Sequence, residues 1–130
     1  MILTVTPIFA LPVAVIYMVL WMRVTSKRNA LAQSIGDGGN ADLLLRIRQH
    51  GNCAEWSCFL LILMMISEGV GASSIYLYFG GALLLLGRIA HPFGLKVDNA
   101  AHVLRYVGNG SNMLATLNFM VCIAVNSITF

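Results

Sequence analysis

The first charged side chain of this sequence is Arg23, and everything before it is apolar or neutral. Three further apolar runs follow. One lies between about Arg46 and Glu68 and is apolar beyond Glu55, one between about Ala72 and Ala90 is uncharged until Arg88, and one from Tyr106 to Phe130 carries no charge. A helix needs roughly 20 residues to cross the hydrocarbon of a bilayer, so each run is long enough, the third only just. Backbone groups cannot stay unpaired in lipid, which leaves helices as the economical way to span it. The reading is an all-α integral membrane protein, a four-transmembrane-helix bundle with helices over about 1–24, 43–68, 72–91 and 101–129. Its 130 residues make a single membrane domain, 1–130. Composition agrees: 58% of residues are hydrophobic and 10% charged, against about 25% charged in ordinary soluble domains. A soluble chain this short exposes too much surface to be so apolar, which excludes a soluble enzyme domain, a disordered chain and a disulfide scaffold. Mean hydropathy is +0.81.

The cations set an orientation. All eight Lys and Arg fall in two stretches: Arg23, Lys27, Arg28, Arg46 and Arg48, then Arg88, Lys96 and Arg105. Four crossings bring both stretches to one side, which the positive-inside rule makes the cytoplasm, with both termini outside. The net charge of +3 is explained by this topology, so no nucleic-acid partner is expected. The first run lacks a basic leader and is too long for a signal-peptide core. Pro7 and Pro12 start or bend it. The Gly36-Asp37-Gly38-Gly39 stretch has no Lys-Ser/Thr at phosphate-loop spacing and reads as a flexible turn.

Polar residues at membrane depth are costly and call for an explanation. On the second helix Arg48, Asn52 and Glu55 recur at i, i+4 and i+7, within an arc of roughly 60°, with Glu55 about 10 Å deeper than Arg48. Phe59, Ile62 and Ile66 continue that face as an apolar floor. Arg46, His50, Cys53 and Ser57 take the opposite face. The fourth helix carries a matching stripe of His102, Arg105, Tyr106, Asn109 and Asn112, with Thr116 beyond, and the third ends with Arg88 and His91 a turn apart. Arg48 and Glu55 read equally well as ion-pair partners between helices and as parts of a site. Four helices enclose little volume, so part of this polar surface should face another subunit: a homo-oligomer with sites between protomers.

Cys53, Cys58 and Cys122 are odd in number and lie in apolar segments, so they read as small buried hydrophobes rather than a disulfide framework. His50 and Cys53 lack a second pair of ligands, so no metal site is expected. Glu68, beside Gly69, should end a helix at the outer interface, and Tyr17, Trp21, Tyr76 and Tyr78 are candidate interface anchors. A small multidrug exporter, also four short helices, would need an acid in the first span, and there is none.

The run Arg48-Gln49-His50-Gly51-Asn52-Cys53-Ala54-Glu55 resembles the R-x-H-x-N-x-x-E signature on the second helix of the MAPEG family, the membrane-associated proteins of eicosanoid and glutathione metabolism. Gly87-Arg88-Ile89-Ala90-His91 resembles the family's G-R-x-x-H element at the end of the third helix. Chain length, four spans and the placing of the termini fit over the whole chain, and the variant motif is most similar to the small bacterial branch. The resemblance implies a homotrimer binding glutathione, as co-substrate, between subunits near the cytoplasmic side. It implies a glutathione transferase, or a peroxidase, acting in detoxification on a lipophilic small molecule or lipid, in the inner membrane if bacterial. Arg48, Asn52 and Glu55 coincide with glutathione-contacting positions, Arg88 and His91 with positions supporting that site, and Arg105 falls near the catalytic arginine that stabilises the thiolate. Tyr106, beside Arg105, joins the glutathione-binding set. Leu95 stands where many catalytic members carry Tyr, so the same resemblance admits a non-catalytic membrane ligand-binding or scaffold protein.

Overall fold

The structure is a computed structural model and describes residues 2–128. Four helices make up most of it: α1 (Thr6–Leu31), α2 (Ala41–Gly69), α3 (Ser74–Gly94) and α4 (Val103–Ile128). Helices α1, α3 and α4 are each long and apolar enough to cross a membrane. At 29 residues, α2 is about 43 Å long, well beyond a hydrocarbon core of about 30 Å. Its apolar C-terminal half can lie in that core while its polar first turns stand in the headgroup layer.

Helix ends differ from the sequence expectation in an instructive way. Helix α1 starts at Thr6, with Pro7 in the first turn where a missing N–H costs nothing. It then runs on to Leu31 rather than stopping near residue 24. Apolarity ends at Arg23, but Lys27, Arg28, Ala30 and Leu31 are good helix formers, so the helix continues beyond the apolar run. Ala32 closes it in the left-handed region (φ 50). Helix α2 begins at Ala41 because Asn40 caps it, its side chain accepting the Leu43 N–H at 2.9 Å. Helix α3 continues through Pro92 to Gly94 instead of ending at 91, and α4 begins at Val103 instead of 101. The expected end of the last helix at 129 lies outside the described residues.

Helices α2 and α3 form the centre of the bundle. Helix α1 packs on both, α4 packs most closely on α3, and α1 and α4 do not approach each other. The apolar core lies toward the end that carries the chain termini, around Val13, Leu60, Met64, Leu77, Leu84 and Phe119. At that terminal end the Glu68 carboxylate reaches from the last turn of α2 to the start of α1. It accepts from the backbone N–H of Thr4, Val5 (2.8 Å) and Thr6 (2.8 Å) and from the hydroxyls of Thr4 and Thr6 (2.6 Å). These are donors that a helix start leaves unpaired, so Glu68 acts as an N-cap supplied from another helix.

The opposite, basic end is joined on its surface by Asp42, which pairs with Lys27 of α1 at 3.0 Å and with Arg46 at 3.1 Å. Those hydrogen bonds, Lys27 first, hold the Asp42 carboxyl below its ordinary range. Arg28 donates to the carbonyls of Gln33, Ser34 and Gly36, tying down the turn that follows α1.

Candidate functional site

The α3–α4 seam places the site. Gly108 lies against His91, where an added methyl would stand 2.7 Å from the His91 Cβ, and a methyl on Gly94 would collide with the backbone of Leu104 and Arg105. Only glycine permits such an approach, as in other small-residue contacts between membrane helices. It sets His91, at the end of α3, against the first turns of α4, where Arg105 projects. Helix α2 supplies the facing wall.

Between these elements is an open cleft of about 370 Å³. Arg48 and Asn52 line it from α2, His91, Leu95 and Lys96 from the end of α3 and just beyond, and Arg105 and Asn109 from α4. Arg48, Lys96 and Arg105 bring three positive charges to it, and no carboxylate lines it. Arg105 donates to the Ala100 carbonyl at 3.2 Å, which ties it to the segment before α4. Arg48 is exposed and has no hydrogen-bond or ion-pair partner among the described residues. Such a set of donors favours an anion.

Behind the cleft is a polar layer. Arg88 is 1% exposed. Its Nη1 donates to the Asn52 carbonyl at 2.9 Å and to Asn52 Oδ1 at 3.2 Å. This turns the amide NH₂ of Asn52 away from the guanidinium, free to donate elsewhere. Gln49, also buried, donates its Nε2 to the Pro92 carbonyl at 2.7 Å and so joins α2 to the end of α3. His91 Nδ1, Gln49 Oε1 and both side-chain polar atoms of Asn112 are buried without a partner.

Of the residues singled out from the sequence, Arg48, Asn52, His91 and Arg105 converge on one cleft. Arg88 does not line it and acts through Asn52. Glu55 and Tyr106 are exposed and stand off it, and Glu55 has no hydrogen-bond or ion-pair partner among the described residues. Phe59, Ile62 and Ile66 also point out of the protomer rather than flooring the cleft, at 46%, 56% and 44% exposure. Cys53 and Cys122 are buried as expected, but Cys58 is exposed beside Phe59. Gln49 and Lys96 were not picked out from the sequence. Gln49 begins the stripe Gln49, Cys53, Ser57, Leu60, Met64 and Ser67, whose small and mildly polar members mark the packed face of α2. Lys96 lies past the end of α3, where helical spacing gives no guide.

This all-helical bundle, with its buried arginine and a basic cleft at one end, belongs to the MAPEG family: the family model matches residues 4–125. The chain is similar to the inner membrane protein YecN of Escherichia coli strain K12, at 32% identity over 90 residues, covering 69% of each chain. The YecN protein of Escherichia coli O6:H1 strain CFT073 matches equally well, at 32% identity and 69% coverage of each chain. No solved structure matches.

Proposed function

We propose that this protein binds glutathione in the basic cleft, between subunits of a homotrimer, and activates its thiol toward lipophilic electrophiles. The observation that carries the reading is the convergence of Arg48, Lys96 and Arg105 with Asn52 and Asn109 on one cleft without a carboxylate. Glutathione offers two carboxylates, amides, an ammonium and a thiol. Arg48 takes a carboxylate bidentately, and the Asn52 amide, oriented by Arg88, donates to a peptide carbonyl. The ammonium needs an acid, and within one protomer the cleft has none. Glu55 is exposed and unpaired on the same face of α2, so a site completed by a neighbouring subunit would bring a surface against it. This supports placing the ligand between subunits.

A thiol has an ordinary pKa of roughly 8.5 and is mostly protonated at neutral pH. Arg105 favours the thiolate, the proton leaving to water. The thiolate sulfur then bonds to an electrophilic carbon, and the displaced group leaves with the electron pair, or a conjugated acceptor takes it up. A cytoplasmic placement of the basic end and membership of an inner membrane are part of this proposal. Leu95 favours a second reading: where a phenol hydroxyl would be, the cleft presents an apolar side chain, so the protein binds the ligand without turning it over.

Calorimetric titration of glutathione into the detergent-purified protein tests binding, with Arg48→Ala expected to weaken it by about tenfold or more. Ultraviolet absorbance of bound thiolate, lost in Arg105→Ala, separates the two readings. No titratable binding would end both.

A further inference from the structure

A second groove lies on the other side of α3 and shares only Leu45 and Lys96 with the lining of the cleft. Helices α1 and α3 touch near the terminal end, where Phe9 covers Gly81 and meets Tyr78. Toward the basic end a groove of about 410 Å³ opens between them, over α2. Its walls are apolar and face outward: Val15, Val19, Ile89 and Phe93 are 45–64% exposed. Arg23 and Lys96 stand at its basic end, and Arg88 and Gln49 lie within it. No carboxylate lines it, and neither the Arg23 nor the Lys96 side chain has an ion-pair partner among the described residues.

The decisive feature is the state of Arg88. Its Nη1 is engaged by Asn52, but Nε and Nη2 have no partner, and the side chain is 1% exposed. The Cys53 thiol lies beside the guanidinium, and no carboxylate does. Nε–H and Nη2–H leave a guanidinium along one edge, side by side, as a bidentate donor pair. A buried donor pair left unfilled is costly, so a ligand oxygen is called for at that depth. Arg88 is rooted six residues before the end of α3, about 9 Å deeper than that end. The groove therefore presents donors at two depths, joined by an apolar wall.

We propose that the α1–α3 groove binds an anionic phospholipid. Its phosphate lies between Arg23 and Lys96, its ester oxygens meet the free edge of Arg88, and an acyl chain runs along Val15, Val19 and Ile89 toward Phe9. Basic pockets between membrane helices recognise acidic headgroups in this way. A fatty acid carries its oxygens at a single depth and cannot fill both tiers. A soluble anion gains nothing from the apolar wall. Lys96 lines both the groove and the cleft, so the lipid is tested at Arg23, Arg88 and Val19, none of which lines the cleft.

The test uses delipidated protein in neutral detergent, with thermal stability and native mass spectrometry as readouts. Phosphatidylglycerol is compared with phosphatidylcholine of the same acyl chains and with glycerol phosphate. Phosphatidylglycerol is expected to be retained about tenfold better than phosphatidylcholine, and glycerol phosphate not at all. Arg23→Gln should reduce that preference, Arg88→Gln should reduce retention of both lipids, and Val19→Trp, which fills the wall, should abolish retention. Val19→Trp should leave glutathione titration unchanged, which separates failure here from failure of the cleft. Equal retention of the two lipids overturns the proposal, as does retention of glycerol phosphate at the level of phosphatidylglycerol or full retention in Val19→Trp. So does disulfide crosslinking between Val19→Cys copies, which would make the groove an interface between subunits.

Discussion

Glu68 and Arg88 are ionic groups toward opposite ends of an apolar bundle, Glu68 half-buried and Arg88 fully buried, and the fold treats them in opposite ways. At the terminal end five donors from Thr4, Val5 and Thr6 converge on the Glu68 carboxylate, which holds the start of α1 to the end of α2. The apolar core around Leu60, Met64 and Phe119 packs beneath it. At the basic end the Arg88 guanidinium is buried with two of its three nitrogens unpaired. The neighbouring buried atoms without partners, on Gln49, His50, His91 and Asn112, belong to the same half of the bundle. A charge fully engaged inside the chain stabilises it. A charge left half-engaged costs the chain stability and keeps binding capacity for something else. The terminal end is thus where charge is engaged within the fold, and the basic end is where buried polar groups are left unpaired.

The largest expected effect tests what keeps the basic end in shape. Gly108→Leu cannot be accommodated against the His91 backbone. It should separate α3 from α4 and cost more than about 4 kcal/mol, read as loss of monodisperse protein in detergent. A well-behaved Gly108→Leu protein would mean that the seam does not define the cleft. Next is Glu68→Ala, which leaves the start of α1 without its cap and should cost about 2 kcal/mol, seen as a lower apparent melting temperature. The comparison is sharpest at Arg88→Met. Removing a buried charge for an apolar side chain of similar size should be neutral or stabilising, by up to about 4 kcal/mol. A loss as large as that of Glu68→Ala would show that Arg88 secures the fold after all and would break the contrast.

The smallest effect belongs to Asp42→Asn at the exposed rim. Its carboxyl lies below the usual 3.8 because Lys27 and Arg46 donate to it. The stabilisation from a depressed carboxylate is present above the unfolded pKa and is lost as pH falls through the lower folded value. The variant should therefore melt slightly below the parent at neutral pH and match it in acid. A difference that persisted at low pH would assign the effect to something other than the ion pairs.

How much of this was legible in the sequence depends on which interaction is read. The spans were legible because lipid excludes charge, so the runs before Arg23 and after Tyr106 report on the membrane directly. The α1 boundary was not, because Lys27 to Leu31 stay helical outside lipid and only Ala32 ends the helix. The i, i+4 spacing of Arg48 and Asn52 correctly gave a shared face. Three residues on, Glu55 shares much of that face but stands exposed, outside the residues that line the cleft. Lys96 and Leu95 entered the cleft from a segment with no period to read.

Membrane residence, helix number and the concentration of cations at one end follow from the chain alone, because burial in hydrocarbon is priced residue by residue. Which side of α3 each arginine serves was decided only by packing. Gly94 and Gly108 bring α4 onto one flank of α3 and leave the other to α1, so Arg105 lines the cleft while Arg88 lines the groove between α1 and α3. That choice depends on backbone approach between helices far apart in sequence, which no local spacing records.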